Sequence, residues 1–187
     1  QYCDFLVDEF ENRILQLGAD NVAAFIAEPI MGAGGVLVAP AGYHQRMHRV
    51  CKKYDMLYVS DEVVTAFGRL GHMFASEDEF GIVPDMITCA KGLTSGYLPL
   101  GATIISDEIY DVISKPQADG ALFTHGYTYS GHPVSCAAGV KNIEIMEREN
   151  ICGHVKDMGA YFEEQVKSLI DLPIVGDVRG RKFMMCI

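Results

Sequence analysis

The chain has 187 residues, 49% hydrophobic and 21% charged, with a formal net charge of -10. That is enough apolar material for one sizeable core. Nothing concentrates Lys or Arg against phosphates, which argues against a nucleic-acid surface, and no apolar run approaches the roughly 20 residues that cross a bilayer.

Phe5, Leu6, Phe10, Ile14 and Leu17 fall at helical spacing and Gly18 ends the run, so residues 3–17 are predicted as a helix. AAFIAEPI, 23–30, reads as a short buried strand stopped by Glu-Pro, followed by a glycine-rich turn, MGAGGV. Residues 41–53 read as a helix. MLYVSDEV (56–63), DMITCA (85–90) and GATIIS (101–106) read as three further strands. SDEIYDVI opens a helix with a Ser cap. A polar stretch then leads to two long helical patterns, 133–149 and 151–170, and VGDVRGRKFMMCI begins a strand after a turn. Apolar strands alternating with helices predict an α/β fold with a mainly parallel sheet and flanking helices. The pattern changes near 150, which divides the chain into 1–150 and 151–187, the second part being the start of a smaller α+β domain.

The six cysteines show no CxxC pairing and several sit in apolar runs, which reads as reduced thiols in a cytoplasmic protein. The opening QYCDFLVDEFENRI is acidic and amphipathic, unlike a signal peptide. The missing initiator Met and the strand-like ending RKFMMCI suggest a piece of a longer protein.

Two predicted strands end in ionisable residues. MLYVS runs into Asp61 and Glu62, and MITCA runs into Lys91. In parallel α/β sheets ligands sit just outside the carboxyl ends of strands, so Asp61 and Lys91 are expected on one rim. An acid and an amine there suit an aldehyde cofactor with a basic ring nitrogen: the lysine forms a Schiff base and the carboxylate keeps the ring nitrogen protonated. The competing readings are a Lys91 that snorkels to the surface and an Asp61–Glu62 pair at a helix N-terminus.

The stretch SDEVVTAFGRLGHMFASEDEFGIVPDMITCAKGLTSGYLPLGA closely resembles the signature of class III aminotransferases, enzymes dependent on pyridoxal phosphate (PLP) with fold type I. The likeness runs upstream to AEPIMGAGGV and downstream to FTHGYTYSGHPVSCAAG. It implies the central part of the PLP-binding large domain, since family members are well over twice as long. It also implies transfer of an amino group from an amine donor to a keto acid acceptor, in a homodimer with shared sites. By the same resemblance Lys91 matches the Schiff-base lysine, Asp61 the carboxylate facing the pyridine nitrogen, and Val63 the apolar residue against the ring. Tyr127 and Thr128 match a pair that reaches the neighbouring subunit's cofactor phosphate, and Glu28 matches a glutamate on the substrate side. GLTSGYLPLGA looks like the pyruvate-using, ω-amino acid branch. A PLP-dependent aminomutase of the same family and a folded but incompetent fragment are the alternatives.

There are departures from the family pattern. Val64 stands where many members carry Gln. Ala66 replaces a glycine, at a cost of about 1–2 kcal/mol if that position is left-handed. Blander readings stand beside the sharp ones. Glu28-Pro29 also reads as a strand stop, Tyr127 as a packing aromatic, Thr128 as a helix cap and Arg69 as structural. His44, His48 and Cys51 share one helix face, which reads as a solvated face rather than a metal site for want of a fourth ligand.

Overall fold

The structure, a computed structural model, describes residues 1–116, 120 and 122–187. Helix α1 (Tyr2–Leu17) buries Val7 and Ile14 and ends at Gly18, whose φ of 80° a side chain would resist. Strands β1 (Ala24–Ala27), β2 (Ile30–Met31) and β3 (Leu37–Val38) precede helix α2 (Tyr43–Lys53) and strand β4 (Leu57–Asp61). A long loop contains the one-turn helix α3 (Ala75–Asp78), which the sequence pattern did not suggest. Strands β5 (Met86–Cys89) and β6 (Ala102–Ile105) follow, then helices α4 (Asp107–Ile113), α5 (Pro133–Arg148) and α6 (Ile151–Lys167). Strands β7 (Arg179–Arg181) and β8 (Met184–Cys186) close the chain as an antiparallel hairpin where one strand was expected. The polar stretch expected before α5 lies partly outside the described residues.

The four-stranded sheet has the order β1-β4-β5-β6. The pairings β1–β4 and β4–β5 are parallel, in a register that sets Ala27 against Ser60 and Asp61 against Thr88. β6 is antiparallel to β5, because the connection over 90–101 contains no full crossover helix that would return the chain for a parallel strand. The core lies between this sheet and α1 and α2. It includes Ile14, Ile30, Met47, Cys51, Met56, Tyr58, Leu70 and Met184. Phe25 stacks between Phe10 and Tyr58, at 4.7 and 5.4 Å between ring centroids.

Two expectations need correction. β1 is not a buried strand here. It is a sheet edge, and only the Phe25 face is covered by helices, so Ile26 is 61% exposed. The apolar run also splits at Pro29, which lacks a ladder donor, and Ile30–Met31 turns away to pair with β3. The helix face bearing His44 and Cys51 is buried, not solvated. Both residues lie in the core, and burial pushes the Cys51 thiol up to about 11, against the thiolate a metal requires. Among the described residues no group of His, Cys, Asp and Glu could hold a metal ion.

One ion pair ties α2 to the sheet. Asp85 is buried, takes Lys52 Nζ at 2.6 Å and accepts the Tyr58 amide at 2.7 Å. Burial alone raises its pKa, but these hydrogen bonds outweigh that and hold it below the ordinary value. A depressed carboxyl pKa contributes stability that is fully present above about pH 4 and is lost as the pH falls through the folded-state value. Asp85→Asn is therefore expected to lower the unfolding free energy at pH 7 and to converge on the parent in acid, once the pH has fallen through the folded-state value. Lys52 is half exposed, so the gap is modest. Denaturant titrations of both proteins at pH 7 and in acid check this. A gap that persists unchanged in acid contradicts it.

Candidate active site

Three neighbouring parallel strands end on one rim. Ala27 pairs with Ser60, so Glu28, one residue beyond β1, stands beside Asp61, the last residue of β4. Asp61 pairs in turn with Thr88, and the Glu62 amide donates to the Thr88 carbonyl at 2.9 Å. Lys91 lies just past Cys89, the end of β5. The sheet therefore brings Glu28, Asp61 and Lys91 to one edge, in the crevice position that α/β sheets use for ligands.

Asp61 is half-buried, and its Oδ1 accepts the Val63 amide at 3.1 Å, a local turn that sets the carboxyl's direction. Its Oδ2 has no partner among the described residues. Glu28 and Asp61 share the wall of a cleft of about 680 Å³ with Pro29, Met31 and Tyr43. Glu28 Oε2 accepts the Gly32 amide at 2.8 Å, so the glycine-rich turn folds back onto it. A Cβ at Gly32 would meet Glu28 Oε2 and Val64 at 3.4 Å, ordinary contact distance. Val64 packs against the core.

Lys91 is exposed, and among the described residues its Nζ has no partner. The surrounding apolar run supplies β5 and the buried Leu93, while Lys91 opens a 3-10 turn, Lys91–Thr94, that carries it out of the sheet. Its backbone φ is 37°, left-handed for a non-glycine residue. Such conformations cost of order 1–3 kcal/mol and persist where the surroundings over-determine them, frequently at functional sites. Lys91 lines a separate hollow with Thr94, Tyr97 and Leu100.

Tyr127 and Thr128 are not brought to the rim cleft. Both are exposed; Tyr127 packs its ring on His125, 5.1 Å between centroids, and lines a third hollow beside β6. Thr128 is not the cap of α5, whose N-cap is His132. Arg69 is structural as read, its guanidinium donating to the Phe183 carbonyl at 3.3 Å. Ala66 is buried and does not have a positive φ; Phe67, at 54°, takes the left-handed position instead, so the strain expected at Ala66 is absent.

Two buried residues hold this rim in place. Glu62 is fully buried next to Asp61. Its Oε2 accepts Thr65 Oγ1 at 3.0 Å and the Ala75 amide at 2.7 Å, and its Oε1 accepts the Ser76 amide at 2.9 Å and Ser76 Oγ at 2.6 Å. Ser76 has one hydroxyl proton and gives it to the carboxylate, so the 2.7 Å contact with Ser60 is donated by Ser60. His44 lies under Glu28. Burial lowers its pKa, which keeps it neutral. Nε2–H donates to the Pro29 carbonyl and Nδ1 accepts from Tyr58, both at 2.9 Å.

An amine without a partner and a carboxyl oxygen left open on one rim fit a cofactor that offers an aldehyde and a basic ring nitrogen. Comparison with known proteins gives the family. The family model for class-III aminotransferases matches residues 1–187. A protein of Mycobacterium tuberculosis named as a probable aminotransferase is 53% identical over 171 residues, which are 91% of this chain and 36% of that protein. The mitochondrial gamma-aminobutyrate transaminase 1 of Oryza sativa subsp. indica is 47% identical over 180 residues, 96% of this chain and 35% of its own. Among solved structures, an (S)-enantioselective omega-transaminase from Thermomicrobium roseum superposes with a TM-score of 0.91 at 43% identity, covering 98% of this chain and 40% of that one. The omega transaminase from Pseudomonas jessenii, in complex with PMP, superposes at 0.89 and 43% identity, covering 97% and 40%. The chain thus spans little more than a third of the length of these relatives, and it belongs to the class III aminotransferases.

Proposed function

We propose that the protein carrying this chain is a PLP-dependent transaminase that moves an amino group from an amine or ω-amino acid to a keto acid, with pyruvate as acceptor. The rim carries this reading: three parallel strands end in Glu28, Asp61 and Lys91, and Lys91 is unpartnered among the described residues, on a left-handed backbone. The names of the relatives support an ω-amino acid or amine as donor.

Bound PLP supplies an aldehyde for an amine and an electron-withdrawing ring. Lys91 would hold the cofactor's aldehyde through Nζ, and its amine, when free, would take a proton from the donor carbon and later return it, serving as base and then acid. Asp61 would keep the ring nitrogen protonated, and Val63 would supply the apolar contact against the ring. Glu28 faces the substrate side. Tyr127 and Thr128, exposed on this chain, would reach the phosphate in a neighbouring copy, which makes the proposed enzyme a homodimer with shared sites. Residues 1–150 belong to the large domain and 151–187 begin the small one. No helix among the described residues is long and apolar enough to cross a membrane, and all six cysteines are free thiols, which supports a reducing compartment, the cytoplasm in this reading.

The test is a visible absorption spectrum of the full-length protein with PLP, before and after borohydride, followed by peptide mapping. A band that reduction fixes onto Lys91 is the expected result. A label on another lysine, or no band, removes the assignment.

A further inference from the structure

The strained turn that carries Lys91 is held from outside by one side chain. Asn142, on α5, donates from Nδ2 to the Gly92 carbonyl at 2.9 Å and the Leu93 carbonyl at 3.2 Å, and its Oδ1 accepts from Ser95 Oγ at 2.6 Å. The orientation of the carboxamide is forced: carbonyl oxygens only accept, so the NH₂ group must face them and the oxygen is left for the serine. Leu93 N reaches Ala90 O at 2.9 Å, Ser95 N reaches Gly92 O at 3.2 Å and Gly96 N reaches Lys91 O at 3.3 Å. Two non-glycine residues in it are left-handed, Lys91 at φ 37° and Ser95 at 50°. A conformation of that kind needs external support.

The packing around the clamp leaves little slack. A Cβ at Gly139, one helical turn before Asn142, would lie 3.8 Å from both Cδ1 and the carbonyl oxygen of Leu93, so α5 is in van der Waals contact with the turn. On the other side, a Cβ at Gly92 would lie 3.0 Å from Phe67 Cβ, in the loop that leaves Asp61. The Lys91 turn is thus wedged between α5 and the Asp61 loop, and Asn142 is the group that pins its carbonyls.

We propose that Asn142 is a positioning residue for Lys91: its carboxamide locks the 91–95 turn so that the lysine amine is presented at the carboxyl rim of the sheet. This rests on the reading of Lys91 as the cofactor lysine. The test uses the full-length enzyme with Asn142→Ala, Asn142→Asp and Ser95→Ala. The first readout is amide hydrogen exchange without cofactor. In Asn142→Ala the amides of Leu93, Ser95 and Gly96 are expected to exchange about 10-fold faster or more, with α6 and the sheet unchanged. The second is steady-state kinetics. A misplaced reacting group costs up to about 100-fold, so kcat is expected to fall roughly 10- to 100-fold with the donor KM within about 3-fold. Asn142→Asp has the same shape but turns lone pairs toward two carbonyls, so it is expected to behave like Ala; a residue that only filled space would tolerate it. Ser95→Ala, which leaves α5 intact, is expected to show the same changes at smaller size.

Unchanged exchange in the turn overturns the proposal, as does an Asn142→Asp enzyme with parental kcat. So does faster exchange with borohydride still fixing PLP on Lys91 and kcat unaltered. If borohydride labels another lysine, it is the cofactor assignment that fails, and the exchange data show whether the clamp exists independently of it.

Discussion

Lys91→Ala is expected to lower transamination in the full-length enzyme by about four orders of magnitude or more, since it removes both the covalent anchor and the proton-transferring amine. The fold should hardly notice. Lys91 is exposed and its Nζ has no partner among the described residues, so the unfolding free energy is expected to move by no more than about 0.5 kcal/mol. Lys91→Arg separates the two readings of this residue. Arg keeps the charge and the length but is not a nucleophile. A lysine that only snorkels to water is replaceable by Arg, whereas a cofactor lysine is not, and both variants should be equally inactive. The measurement is amine-dependent consumption of keto acid at saturating PLP. Substantial turnover in Lys91→Ala would sink the assignment.

The rim was readable because it follows from simple periodicity. Apolar runs gave the parallel strands, their ends gave Asp61 and Lys91, and parallel topology puts such ends on one side. The same logic misjudged surroundings: β1, read as buried, is a sheet edge with Ile26 exposed, and the His44–Cys51 helix face, read as solvated, is buried. The apolar run around Lys91 divides between β5 and the buried Leu93, and the turn at Lys91 carries the side chain to solvent. The roles of His44 and Asn142 were illegible for another reason. Each acts on backbone carbonyls far away in sequence, His44 on Pro29 and Asn142 on Gly92 and Leu93, and a carbonyl leaves no mark on residue type. Glu62 read only as half of an acidic pair at a helix N-terminus. No helix starts at the pair; the amides that Glu62 accepts, Ala75 and Ser76, are the first two of α3, across the loop.

This makes Glu62 the residue whose loss should destabilise the fold most. The N-cap position of α3 is Phe74, which has no side-chain acceptor, so Glu62 reaches across the loop to satisfy two helix N-terminal amides that are otherwise orphaned. It also takes the protons of Thr65 and Ser76, all within the buried interior. Glu62→Ala strands two N–H groups that cannot rotate to new partners, at about 1–3 kcal/mol each, and leaves a cavity beside them. The hydroxyls of Thr65 and Ser76 can turn elsewhere and add less. The expected loss is about 3–5 kcal/mol, a large part of a typical domain's 5–15 kcal/mol. Glu62→Gln keeps the volume and one oxygen but points an NH₂ at donors, and should lose about 2–3 kcal/mol. Ser76→Ala, which removes one of the four bonds and keeps the amide contacts, should lose about 1 kcal/mol. Denaturant midpoints at constant slope rank the three variants. A Glu62→Ala loss under about 1 kcal/mol would show that water satisfies those amides and that the loop from Asp61 to α3 is held by packing alone. If the full loss appears, the loop that orients Asp61 and braces the Lys91 turn through Phe67 depends on one buried carboxylate.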